Sequence, residues 1–135
     1  MAAASAASPA PANTGLAVGT AVEVCPVEDL PAGEIRLVEV EPPISVFNVG
    51  GLLFAIDDTC THAKASLADG DIEIDGDDCF VECPFHIAQF DLRTGKPQSL
   101  PASKPVRTHT VEIRDGVITV LVGVVPDRPG TPTST

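Results

Sequence analysis

Two short pairs of metal-binding side chains constrain this chain more than anything else in it: Cys60-Thr61-His62 and Cys83-Pro84-Phe85-His86. Each offers one thiolate and one imidazole at near-contact spacing, and 20 residues (63–82) separate them. Each pair lies between a strand-like segment and a turn, where backbone loops can wrap a cofactor. The chain has 135 residues, which fits one domain plus tails, and a domain that small gains stability from a bound metal.

The rest of the chain reads as all-β. Hydrophobic residues make up 44%, too many for a disordered protein. There is no Trp or Tyr and only five Phe, so the core must rest on Val, Ile and Leu. Those residues, with 11 Gly and 13 Pro, favour a turn-rich β fold. Ile44–Val49 and Leu52–Ile56 flank Gly50-Gly51, and Val111–Arg114 and Val117–Val122 flank Asp115-Gly116. Both are hairpin signals, because these turn residues accept positive φ. Glu34–Val40 alternates, with Ile35 and Leu37 as apolar positions and Val38 and Val40 as further candidates. Phe80–Glu82 leads into the second pair, and Gln89–Leu92 leads out toward the turn at Arg93-Thr94-Gly95-Lys96. Thr61–Leu67 could hold one helical turn. Asp69–Asp78 carries six carboxylates and no base, with an alternating Asp71-Ile72-Glu73-Ile74 that reads as a solvated edge strand. Its spacing fails the known calcium-loop pattern.

Residues 1–19, rich in Ala, Ser and Pro, are expected to form a disordered tail, and residues 126–135 a flexible end. The folded unit is expected at 20–125. The N-terminus has no positive start and no apolar segment, so it is no familiar signal peptide. No apolar run approaches membrane-spanning length. A cytoplasmic location follows by default. Net charge is −11, so a basic nucleic-acid footprint and a polybasic membrane anchor are both absent. The acidic surface fits basic protein partners or plain solubility.

Two Cys and two His, one of each per loop, match an asymmetric [2Fe–2S] centre with thiolates on one iron and imidazoles on the other. Two Fe(III), two sulfides and two thiolates sum to zero charge. Reduction then leaves one negative charge where an all-thiolate cluster would carry more, which lifts the potential into a span of about −150 to +300 mV. The competing reading is a zinc clamp. Zinc accepts Cys₂His₂, but its usual spacings pair Cys with Cys and His with His. Cys79 has no His three residues on and reads as a buried or partly exposed thiol; Cys25 reads as a core thiol. His109 reads as a surface or packing histidine.

Cys-Thr-His followed by Cys-Pro-x-His resembles the Rieske iron–sulfur signature, and the flanking text resembles the soluble Rieske ferredoxins of bacterial ring-hydroxylating oxygenases. The likeness is carried by Phe54-Ala55-Ile56-Asp57-Asp58-Thr59 before the first pair, Ala65-Ser66-Leu67-Ala68-Asp69-Gly70 after it, Phe90-Asp91-Leu92-Arg93-Thr94-Gly95, Leu100-Pro101-Ala102, and the opening Cys25-Pro26-Val27-Glu28-Asp29-Leu30. It spans about residues 20–122. The resemblance implies an antiparallel β-sandwich base with a small cluster-binding subdomain built from both loops. It implies that Cys60 and Cys83 hold the inner iron and His62 and His86 the outer one, near solvent. It also implies an upstream ferredoxin reductase, a downstream terminal oxygenase, and a loop containing Pro101 and Pro105 over the cluster.

The residues refine the subtype. High-potential relatives in respiratory complexes add a disulfide-forming Cys to each loop, where this chain has Ala65 and Phe85. They also place Ser and Tyr hydroxyls where this chain has Ala88 and Phe90. Fewer donors to sulfur imply a potential near the low end, roughly −150 mV. The family usually has Gly after the second His, where this chain has Ile87, which resists positive φ. The segment between the pairs also carries extra acidic residues.

The function expected is that of an electron carrier, not an enzyme, acting as a monomer between a flavin-dependent reductase and a non-haem iron oxygenase. With three His in the chain, two cannot be spared for a mononuclear iron site. The alternatives are a Rieske-like small subunit of an assimilatory nitrite reductase and a donor to another monooxygenase such as a cytochrome P450.

Overall fold

In the computed structural model the described residues are 17–60, 65–84, 89–98, 104–127, 129–130 and 133–134. The expected hairpins are present. β1 spans Ala21–Pro26, β2 Ile35–Val38, β3 Ile44–Val49 and β4 Leu52–Asp57. Between β3 and β4, Gly50 and Gly51 take φ of 61° and 99°, as a two-residue turn of this hand requires. All of β3 is buried. Its Ile44 and Val46 face one core while Phe47 and Val49 face another, so the hairpin is covered on both sides and its apolar residues do not alternate with exposed ones. β8 (Thr108–Arg114) and β9 (Val117–Leu121) join through Asp115 and Gly116, both at positive φ.

These strands form a sheet in the order β1-β9-β8-β4-β3-β2. β4 and β8 pair only at Ala55–His109 and Ile56–Thr108, so the sheet folds over there into two layers. Ile44, Val46, Leu53, Val111, Ile118 and Val120 fill the space between them. On β2 Val38 is buried and Ile35 half-buried, as expected, whereas Leu37 stays exposed, so the strand does not keep a strict alternation through Leu37.

A separate three-stranded sheet carries the region of the ligand pairs: β5 (Asp71–Asp75), β6 (Asp78–Glu82) and β7 (Gln89–Asp91), antiparallel in that order. Its inner face presents Ile72, Val81 and Phe90 to Phe47, Phe54 and Ile56 of the base. The register puts Asp71, Glu73, Asp75 and Glu82 on the opposite face. The acidic stretch is thus an edge strand with a wet side, as its alternation implied. Among the described residues near the first pair there is a 3-10 turn at Leu67–Asp69; residues 61–64, within the stretch where a helical turn was expected, lie outside the described set.

Residues 126–135 were expected to be loose, yet their described part touches the base. Leu53 N–H donates to the Gly130 carbonyl at 3.1 Å, and Thr133–Ser134 (β10) lies parallel to Glu112–Ile113. Arg93 links this segment to the rest of the fold: one guanidinium nitrogen donates to the Pro129 carbonyl at 3.2 Å, another to the Asp77 carbonyl at 3.1 Å, and the group sits 5.6 Å from the Phe54 ring centroid.

Candidate metal centre

The first ligand loop leaves the end of β4. Cys60 N–H donates to the Ala65 carbonyl at 3.0 Å, Leu67 N–H donates to the Asp58 carbonyl at 2.8 Å, and Thr59 and Ser66 form an isolated bridge. These contacts close the neck of the loop, so Cys60 stands where the chain is pinned. The second loop leaves β6 at Cys83 and returns into β7, with Glu82 paired to Gln89. The roots of the two loops adjoin because the residue after the first, Asp71, pairs with the residue before the second cysteine, Glu82.

Cys60 and Cys83 are 3% and 2% exposed and belong to one apolar core with Leu67, Val81, Phe90 and Leu92. No disulfide joins them. Two buried thiols at adjoining loop roots suit soft metal or cluster coordination, the use expected of them. The predicted imidazole donors His62 and His86, and also Phe85, Ile87, Ala88, Leu100, Pro101 and Ala102, lie outside the described residues. Among the described residues no three His, Cys, Asp or Glu side chains converge on a metal-sized site. Ala65 is buried, and Pro105 is exposed.

Cys79 is buried in the same core as Cys60 and Cys83, and Cys25 is buried in the other. Burial pushes both thiols up from their ordinary range, which keeps them protonated and inert. His109 is a packing residue inside β8. Its Nδ1 accepts from Gly123 N–H at 2.7 Å, so the ring carries its proton on Nε2 and donates it to Asp57 at 2.9 Å. Sequence reading missed this arrangement, because Thr108-His109-Thr110 has no apolar signal.

Burial alone would push the Asp57 carboxyl up, but hydrogen bonds from His109 and Arg107 outweigh it and hold the carboxyl below its ordinary value of 3.8. A depressed carboxylate contributes stability that is complete above about pH 4 and fades as pH falls through the folded value. Asp57→Asn is therefore expected to melt below the native chain at pH 7, with the gap narrowing at pH 3. Thermal melts at both pH values check this, and an unchanged gap would contradict it.

Residues 20–110 match the Rieske [2Fe-2S] domain. The chain is 48% identical over 99 residues to the 3-phenylpropionate/cinnamic acid dioxygenase ferredoxin subunit of Photorhabdus laumondii subsp. laumondii, covering 73% of this chain and 91% of that protein. It is similar to a chain in the complex of reduced oxygenase and oxidised ferredoxin of carbazole 1,9a-dioxygenase, with a TM-score of 0.69, 37% identity, and coverage of 82% of this chain and 99% of that one. The putative NADH-dependent nitrite reductase small subunit from Mycobacterium tuberculosis shares the fold alone, at 19% identity and a TM-score of 0.68 over 75% of this chain and 93% of that one. The all-β architecture, the paired buried thiols and these likenesses agree: the chain belongs to the Rieske [2Fe–2S] family, and within it to the ferredoxins, electron carriers whose cofactor is a Rieske-type cluster.

Proposed function

We propose that this ferredoxin takes single electrons from a flavin-dependent ferredoxin reductase and delivers them to a terminal non-haem iron oxygenase of the ring-hydroxylating kind, as a monomer in the cytoplasm. Cys60 and Cys83 bind the inner iron, and His62 and His86 the outer one. The cluster, once bound, supplies one-electron redox chemistry. The observation that carries the ligand assignment is the burial of both cysteines in one core, at loop roots joined by the Asp71–Glu82 pairing. The oxygenase partner is supported by the relatives, which are a dioxygenase ferredoxin subunit and a chain in an oxygenase–ferredoxin complex.

Oxygen chemistry belongs to the partner for a reason internal to this chain. It has three His; two stand in the ligand pairs, and both ring nitrogens of the third, His109, are engaged. None remains for a mononuclear iron site. Among the described residues the exposed large apolar ones, Val18, Val27, Leu37, Ile74 and Val125, are dispersed along the chain, which favours a monomer. The described cysteines form no disulfide, which suits a reducing compartment.

Anaerobically purified protein should be red-brown and carry inorganic sulfide, and Cys83→Ser should lose both. A colourless, zinc-loaded or sulfide-free protein overturns the ligand assignment. With purified partners, the reduced protein should pass electrons to an oxygenase; acceptance by a sirohaem enzyme alone overturns the partner assignment. Film voltammetry should give roughly −150 mV, and a clearly positive value would contradict the count of sulfur donors.

A further inference from the structure

Among the described residues Asp58 is the one carboxyl-bearing side chain that is buried, at 4% exposure, and it stands two positions before Cys60. A buried carboxyl is unfavourable unless donors meet it. Here two do: Oδ1 accepts from Ser66 Oγ–H at 2.9 Å and from Ala68 N–H at 2.9 Å. The Asp58 backbone joins the same knot. Its carbonyl accepts from Leu67 N–H at 2.8 Å, and its N–H donates to the Pro43 carbonyl of the base at 2.9 Å. One residue thus ties the far side of the ligand loop, 66–68, to the near side and to the fixed sheet. Leu67 and Ala65, carried by that far side, are buried against the core that holds Cys60.

We infer that Asp58 is a positioning residue for the cluster: by clamping Ser66 and Ala68 it holds the neck of the first ligand loop closed and so fixes Cys60 at the site. The inference rests on the assignment of Cys60 as a ligand. It makes a chemical distinction. The clamp needs an acceptor oxygen at Oδ1, not a charge, because both bonds end on one oxygen. Asparagine can keep that oxygen in place; alanine cannot.

The test is the rate of iron release from the loaded protein under chelator challenge, followed by visible absorbance, with circular dichroism of each variant as the control for folding. Asp58→Ala should release iron about tenfold faster than the native chain, the order expected when an anchoring hydrogen bond is lost, and Asp58→Asn should stay within about twofold. Equal rates for Asp58→Ala and the native chain overturn the inference, as does an asparagine variant as labile as the alanine one. Should Asp58→Ala fail to fold, Ser66→Ala replaces it: release faster than from Asp58→Asn supports the clamp, and an unchanged rate overturns it. If the native chain itself binds no cluster, the ligand assignment has failed; if it binds one and the variants do not differ, only the clamp has.

Discussion

Phe90→Ala is expected to destabilise the protein by about 4 kcal/mol, the cost of emptying a fully buried aromatic site that the surroundings cannot refill. Phe90 is 0% exposed in the middle of β7 and pairs with Val81 across the small sheet. It packs in the core that includes Cys60, Cys83, Leu67 and Leu92. Collapse into the void would have to come from residues that also root the two ligand loops. The loss should therefore appear twice: as a lower denaturation midpoint without cluster, and as poorer cluster retention with it. Phe80 is one register step away on the other face and only half-buried, so Phe80→Ala should cost about 1 kcal/mol. Comparable losses in urea titrations of the two variants would contradict this account.

Gly70→Ala is expected to cost about 3 kcal/mol for a different reason. The backbone at Gly70 has an ordinary extended conformation, with φ of −86°, so no left-handed strain is involved. A methyl group there would collide with the Glu82 carbonyl oxygen, which is backbone and cannot swing aside. Relief requires the end of the first loop to move away from the start of the second, which breaks the pairing of Asp71 with Glu82. Gly50→Ala makes the useful contrast. Gly50 is at φ 61° with nothing near its would-be methyl, so only conformational strain of about 1 kcal/mol applies. If Gly70→Ala is no worse than Gly50→Ala, and iron content is unaffected, the two loops are less tightly apposed than described.

The parts of this fold that the sequence declared were those with local causes. Gly50-Gly51 and Asp115-Gly116 set their turns by backbone chemistry alone, and the strands beside them follow. The Rieske family was legible because thiolate and imidazole at close spacing serve few purposes. What stayed hidden depends on partners far along the chain. Thr108–Thr110 extends β8 because His109 is satisfied by Asp57 and Gly123, which no local pattern announces. β10 pairs two polar residues, Thr133 and Ser134, in parallel with β8, leaving no apolar trace. β1 left no local signal, because its residues are mostly exposed or half-buried. The importance of Asp58 and Gly70 lies in what Ala68 and Glu82 do near them.

Because Asp71 and Glu82 form the first rung of the β5–β6 ladder, and the Gly76-Asp77 turn lies at its far end, the stretch between the two donor sets works like a telescoping arm. Adding one matched residue to each side beside that turn would push the tip outward and leave both roots where they are. A lone inserted residue would instead swap the wet and dry sides of everything beyond it. Sequence distance between the donor pairs is therefore free to drift by whole rungs, whereas the spacing of the two strand roots at Asp71 and Glu82 is fixed.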